Sequence, residues 1–378
     1  MKRFAAWSAA PVVSALLLLP LAGPARALRM AIIAAAASGL VFIVLSCRTR
    51  LANRLNTRQF PLSTSFARLR SFLATPRGAA LVALLLVIVP LGVNDYYRDI
   101  LTLTCLYIVL ALGLNLIVGQ AGLLHLGHVA FYAIGAYTYA LLSTRYGVPF
   151  WPGLAAGGLA AALFAIFLGA PILRLRGDYF AVVTLGLGEI TRIVLNNTDQ
   201  VTGGPNGIAN IGRPVIAGYI LSSTLDYYYL ILIIMAGAVL FSRRLAASRI
   251  GRAWIAIRED ETAAEAMGID TFRLKMLAFA AGSFWAGIAG VFFSAKMAFV
   301  SPESFTFSES VLILCMVVLG GIGSIPGIFV GAFLLIALPE MFRDFQDYRM
   351  LAFGTALVLM MIFRPQGLMA TRSTRGRT

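Results

Sequence analysis

The chain returns repeatedly to apolar runs about as long as a bilayer is thick. Residues 101–119, LTLTCLYIVLALGLNLIVG, carry no charge, and comparable runs recur down the sequence. A helix rising 1.5 Å per residue needs about 20 such residues to cross a hydrocarbon core about 30 Å thick. Within that core every backbone N–H and C=O must be paired, so repeated spanning runs fold as helices. With 60% of its 378 residues hydrophobic and 12% charged, and a mean hydropathy of +0.86, the chain has too few polar groups to clothe a water-soluble globule. It reads as all-α, a polytopic transmembrane helical bundle.

Spans are expected near 79–93, 100–118, 124–143, 151–172, 178–195, 227–242, 272–295, 308–321, 326–341 and 349–363, about ten in the core bundle, with one or two ahead of it. The first apolar run, residues 9–21, is shorter than a span. It follows Lys2 and Arg3 and precedes an Ala25-Arg26-Ala27 that mimics a signal-peptide cleavage site, so it is either a retained span or a cleaved signal. Residues 29–46 then cross, and 47–78 carry Arg48, Arg50, Arg54, Arg58, Arg68, Arg70 and Arg77 without one acid, the mark of a cytoplasmic segment. The expected organisation is an N-terminal appendage (1–78) ending in this Arg-rich linker, a transmembrane domain (79–363) with a cytoplasmic loop at 243–271, and a basic cytoplasmic tail (364–378).

The net charge of +15 does not point to nucleic acid, because the basic residues sit in loops between apolar spans with no aromatic-basic surface for bases. Alternating the spans from an inside 47–78 puts most of the 31 basic residues inside, including Arg174, Arg176, the 243–275 group and the tail from Arg364, while the acids lean outside. That bias is the positive-inside rule read back from hydropathy. Cys47, Cys105 and Cys315 have no ligand spacing and build no disulfide or metal framework.

Two junctions are rich in glycine, GLNLIVGQAGLLHLG (113–127) and GGIGSIPGIFVG (320–331). Small residues let membrane helices approach closely, and broken helices survive only where they are enclosed or line a cavity. The pair suggests a degenerate internal duplication around a central pathway. His125 and His128 share a helix face but lack the further ligands a metal needs, and read as packing residues. Glu189 is the one acid deep in an apolar segment, with Arg192 three residues on and able to pair with it. TGGPNGI (202–208) is turn chemistry, in a 199–226 loop that could also touch an external delivery protein. Asn115, Gln120, Thr184 and Glu189 are the polar residues expected along a passage through the bundle.

Against this oily background the charged block 248–269, SRIGRAWIAIREDETAAEAMGI, stands apart. Each of its charges would cost about 2.5–3.5 kcal/mol at the centre of a bilayer, so the block faces water. Acids at a helix start and a glycine near its finish fit one short polar helix with a slender alanine stretch, able to seat in a groove of a partner. The chain holds three lysines (Lys2, Lys275, Lys296), none in the GxxxxGK[ST] pattern that cradles nucleotide phosphates. If ATP drives this chain, a separate subunit hydrolyses it and pushes through that block.

Thr262-Ala263-Ala264-x-x-x-Gly268 resembles the EAA-x3-G coupling loop of ABC importer permeases, with Thr in place of Glu and without the downstream I-x-L-P. GRAWIAIREDETAAEAMGI, GLNLIVGQAGLLHLGHVAFYAIGAY, LRLRGDYFAVVTLGLGEITRIVLNNTDQVTGGPNGI, FVSPESFTF, VVLGGIGS and IFRPQGL together resemble the branched-chain amino acid permease family over residues 101–368, on the side of its larger, LivM-type subunit. The resemblance implies a bacterial inner-membrane protein that pairs with a second, LivH-like permease, two cytoplasmic ATPase subunits that bind ATP and Mg, and a periplasmic binding protein delivering leucine, isoleucine or valine. It implies no enzyme activity and no cofactor in this chain. Arg252, Arg258, Glu259, Asp260, Glu261, Ala263, Ala264 and Gly268 become the expected ATPase-coupling residues. Related permeases carry urea, short amides or other amino acids. The competing reading is an ion-coupled secondary transporter acting alone, for which only Glu189 offers an intramembrane acid.

Overall fold

The computed structural model describes residue 84 and residues 86–173, 175, 177–216, 218–341 and 367–369. The expected appendage 1–78, Arg174 and Arg176, the 349–363 span and the tail apart from 367–369 lie outside the described residues.

Helix α1 (Asp95–Asn115) ends in a π turn, Leu116–Gln120. Residues 121–127 then leave helical geometry before α2 (His128–Tyr146), which stops at Gly147 in the left-handed conformation (φ +63°). Helix α3 (Phe150–Ile172) has Pro171 in its last turn, and α4 spans Asp178–Asn197. Helix α5 (Thr224–Ala247) opens on a reciprocal cap in which Ser223 and the Asp226 carboxylate each accept a backbone N–H of the other's turn. Two short helices, α6 (Arg249–Glu259) and α7 (Glu261–Ala266), precede the long α8 (Thr271–Met297). Helix α9 (Phe307–Gly320) and α10 (Ile325–Ala332) follow, α10 running on through a second π turn, Phe333–Ala337, to Leu338–Met341. Between α4 and α5, β1 (Ile208–Ala209) pairs antiparallel with β4 (Phe299–Val300), which follows α8, and β2 (Val215–Ile216) pairs with β3 (Tyr219–Ile220).

Among the described residues six helices are long and apolar enough to cross a bilayer. The apolar windows of α1 and α8 are 83% and 72% buried, whereas those of α3, α4, α5 and α9 are 33–39% buried. Helices α1 and α8 therefore form the hub and the others a rim. Helix α8 packs on α3, α2 and α1, and glycine makes the contact possible. A Cβ on Gly113 would lie 2.6 Å from the Gly282 carbonyl oxygen, and one on Gly135 would lie 2.2 Å from that of Gly287. Backbone meets backbone, the usual membrane solution where burying apolar surface gives helices no reason to associate.

One expectation needs correction. The span near 124–143 begins only at His128, because 121–127 is tied out of helical form: Leu126 N donates to Thr184 Oγ1 (3.1 Å), Val129 N donates to Ser310 Oγ (3.1 Å), and a Cβ on Gly127 would strike the Thr184 carbonyl oxygen at 1.9 Å. Such backbone is tolerated where it is buried in protein or borders a cavity: Ala121, His125 and Gly127 are buried, while Gly122 and Leu124 are exposed. Helix α2, with its tyrosines, threonines and serine, is not among the six apolar spans although its core face is buried. The expected 326–341 span is present as one apolar helix, Ile325–Glu340, which passes through the π turn at Phe333–Ala337.

Candidate coupling site

The charged block is not a single rod. Asp260 lies in extended conformation (φ −156°, ψ 108°), ends α6, and caps α7 by accepting the Ala263 N–H at 3.0 Å. A short acid between two helical segments competes with the backbone for its own hydrogen bonds, which is why the break falls there. Helix α5 runs to Ala247 and α8 starts at Thr271, so the connection between these two helices is 248–270.

Each piece is fastened to the bundle. On α6, Ser248 caps the start by accepting the Gly251 N–H (3.2 Å), and Gly251, Trp254 and Ile257 turn one face inward. Trp254 is fully buried, and its Nε1 donates to the Leu274 carbonyl of α8 at 2.7 Å. Gly251 permits the sharp entry: a Cβ there would meet the Leu245 carbonyl oxygen at 2.4 Å. Arg258 Nη1 donates to the Gly119 carbonyl in the π turn of α1 at 2.5 Å. Gly122, at φ +75°, accepts the Arg258 side chain against its Cα, since a Cβ would lie 2.5 Å from Arg258 Cγ. On α7, Ala264 is buried, Glu261 pairs with Lys275 at 2.5 Å, and Glu265 accepts the Thr271 hydroxyl at 2.7 Å. Gly268, at φ +82°, turns the chain, and Asp270 caps α8 through the Arg273 N–H.

Of the expected coupling residues, Arg258, Glu261 and Ala264 therefore serve contacts within the chain. Arg252 is exposed and reaches the Ala247 carbonyl at 3.1 Å. Glu259, Asp260, Ala263 and Gly268 remain at the surface, Glu259 lying 3.8 Å from Arg258. One exposed residue was not singled out in the sequence: Met267, 83% exposed just after α7. Its signal was a lone large apolar residue after EA and before glycine. Lys275 was counted only as a topology charge, yet its ammonium is nearly buried under Glu261. Beside these residues a cleft of about 370 Å³ opens between residues 121–124, the start of α4, and 257–261.

Of the expected passage residues, Asn115 and Gln120 lie within the 113–127 junction and Thr184 bonds to it. Asn115 is buried and accepts the Gly323 N–H at 2.9 Å, so the two glycine junctions touch through it. Gln120 is buried at the end of the π turn. Thr184 holds 121–127 through Leu126 and donates to the Ala181 carbonyl at 3.0 Å. Glu189 stands apart on α4, where it accepts Arg192 Nε at 3.0 Å. His125 sits among the rings of Phe131, Phe180, Phe279 and His128. In the TGGPNGI turn, Gly203, Gly204 and Gly207 all take positive φ, and Gly207 rests on the Val300 carbonyl, where a Cβ would come within 2.1 Å. The second junction is held from its other side: Leu368 N and Met369 N each donate at 2.9 Å, to the carbonyls of Leu319 and Gly320.

A block pinned to both the hub helix α8 and the broken end of α1 can hand a displacement to the bundle interior. The family model described as branched-chain amino acid transport system / permease component matches residues 96–363. The chain belongs to this permease family. Over 314 residues, 76% of this chain and 74% of the relative, it is 47% identical to the high-affinity branched-chain amino acid transport system permease protein LivM of Escherichia coli. It is 24% identical over 314 residues to a probable LivM permease of Methanocaldococcus jannaschii, covering 70% of this chain and 90% of that one. The LivH permease of E. coli is 26% identical over 290 residues, 71% of this chain and 92% of its own. No solved structure matches. Within the family's matched region fall both glycine junctions, the Arg258 contact and the whole of α6 and α7.

Proposed function

We propose that this chain is the LivM-type membrane subunit of an ATP-driven importer of branched-chain amino acids. It forms the passage with a second, LivH-like permease and receives force from two ATPase subunits that bind ATP and Mg. The observation that carries this reading is the 47% identity to a high-affinity branched-chain permease across three quarters of both chains. It is supported by a water-facing block fastened at Trp254, Arg258 and Glu261 rather than left as a loose loop. The surface of 248–270 and the C-terminus face the cytoplasm of a bacterium, the 199–226 connection faces a periplasmic binding protein, and the whole chain crosses the inner membrane about ten times after one or two N-terminal spans.

In the working cycle, the ATPases grip the exposed edge of the block at Arg252, Glu259, Ala263 and Met267. Closure of the ATPase pair moves α6 and α7 about the turns at Asp260 and Gly268 that bound α7. Arg258 carries the motion to the π turn of α1, and Asn115 carries it to the second glycine junction. A docked block shifts the equilibrium only if its contacts with the motor differ between the motor's two states.

The test is reconstitution of this chain with a LivH-type permease, the ATPases and a binding protein, followed by uptake of labelled leucine, isoleucine, valine, urea and acetamide. The expected result is ATP-dependent uptake of the branched amino acids and none of the amides. Uptake by this chain alone under a proton or sodium gradient would overturn the reading in favour of a secondary transporter.

A further inference from the structure

We propose that the outward stripe of α4, bordered by Glu189 and Arg192, is the seam along which this chain meets the second permease subunit; the inference rests on the two-permease reading above. Tyr179, Val182, Ile190 and Ile193 are 77%, 66%, 60% and 47% exposed and recur at helical spacing, so they form one face of α4 that no described part of this chain covers. Gly186 lies on that face between Val182 and Ile190, and a Cβ there would meet nothing within 4 Å. A glycine on the open face of a membrane helix leaves room for another helix backbone to approach closely.

The charged pair says what kind of neighbour covers the face. Glu189 lies about 12 Å or more from either end of α4 at 1.5 Å per residue. Its side chain and that of Arg192 are 37% and 30% exposed. Hydrocarbon against an ionised pair at that depth is unfavourable, and intramembrane charges face protein or water. Because the two charges neutralise each other, the partner surface needs hydroxyl or amide groups rather than a counter-charge. Helix α3 supplies the contrast: Leu159, Leu163 and Phe167 are 56%, 65% and 77% exposed on a helix without a single charged residue, a face suited to lipid tails.

The experiment uses the full chain with Cys47, Cys105 and Cys315 replaced and one new cysteine at a time: Gly186→Cys, Ile190→Cys and Ile193→Cys on α4, Leu163→Cys and Phe167→Cys on α3. Each carries an environment-sensitive fluorophore in vesicles of brominated phospholipid, with this chain alone and in the purified complex. The expected result is several-fold less quenching at the α4 positions in the complex than in the chain alone, with unchanged quenching at the α3 positions. Equal quenching at α4 in both preparations would sink the seam, as would strong reaction of the α4 cysteines with a membrane-impermeant maleimide in the complex, which marks a water-filled passage. Protection of α4 in the chain alone assigns the face to a segment of this chain outside the described residues or to a second copy, and overturns the proposal. Failure of any second permease to co-purify removes the two-permease reading and this inference together, whereas co-purification with lipid-exposed α4 removes only the inference.

Discussion

Single contacts carry much of the candidate site, and each can be broken alone. Lys275 is 8% exposed at the side chain and its ammonium meets Glu261. Glu261→Lys leaves a nearly buried cation facing another, and because Glu261 itself keeps a third of its exposure the expected loss is about 2–3 kcal/mol, below the full cost of orphaning a buried charge. The double swap Glu261→Lys with Lys275→Glu restores most of it, measured as thermal stability in detergent. Gly122→Ala places a side chain at φ +75° and 2.5 Å from Arg258 Cγ. The left-handed backbone alone costs about 1–2 kcal/mol, and the displaced guanidinium loses its hold on Gly119. Uptake is expected to fall at least tenfold while the protein still reaches the membrane, checked by transport and by immunoblot of membranes.

At the scale of elements, α6 and α7 are two levers joined at Asp260. Trp254→Ala removes a fully buried indole and its hydrogen bond to Leu274, with an expected loss of about 3–5 kcal/mol seen as a lower melting temperature. Met267→Asp, at a site 83% exposed, is expected to leave the melting temperature within about 1 °C while reducing ATPase co-purification, because it alters only what a partner touches. The charges and glycines of this block were legible in the sequence, as was the exposure of much of its surface, because charge in a hydrophobic chain has few places to go. Its break was not: Asp260 reads equally as a first-turn acid and as a cap, and only the packing of Trp254 and Ala264 onto the bundle decides. For the same reason α2 was expected to begin before His128. Gly122 and Gly127 mark a possible interruption, but the partners that hold it, Thr184 and Ser310, lie 58 and 181 residues away in sequence.

For the whole molecule, hydropathy alone placed the six helices that are long and apolar enough to span among the described residues, since length and apolarity are properties of a segment and need no partner. Which of them are central could not be read that way. Helices α1 and α3 look alike as strings of apolar residues, and their burial differs because glycine contacts bring α8 against both while only α1 is enclosed on its other sides. Reversing Glu259 and Asp260 together, both surface residues, is expected to abolish ATP-driven uptake with the chain still in the membrane; normal uptake would remove the coupling mechanism. The glycine contacts of α8 have a mechanical corollary. Where Gly113 faces Gly282 and Gly135 faces Gly287, main chains lie with no side-chain cushion between them, so α8 cannot slide past α1 or α2 without opening a gap. The centre of this subunit therefore resists internal sliding, and relative displacement of α1, α2 and α8 is expected to be small.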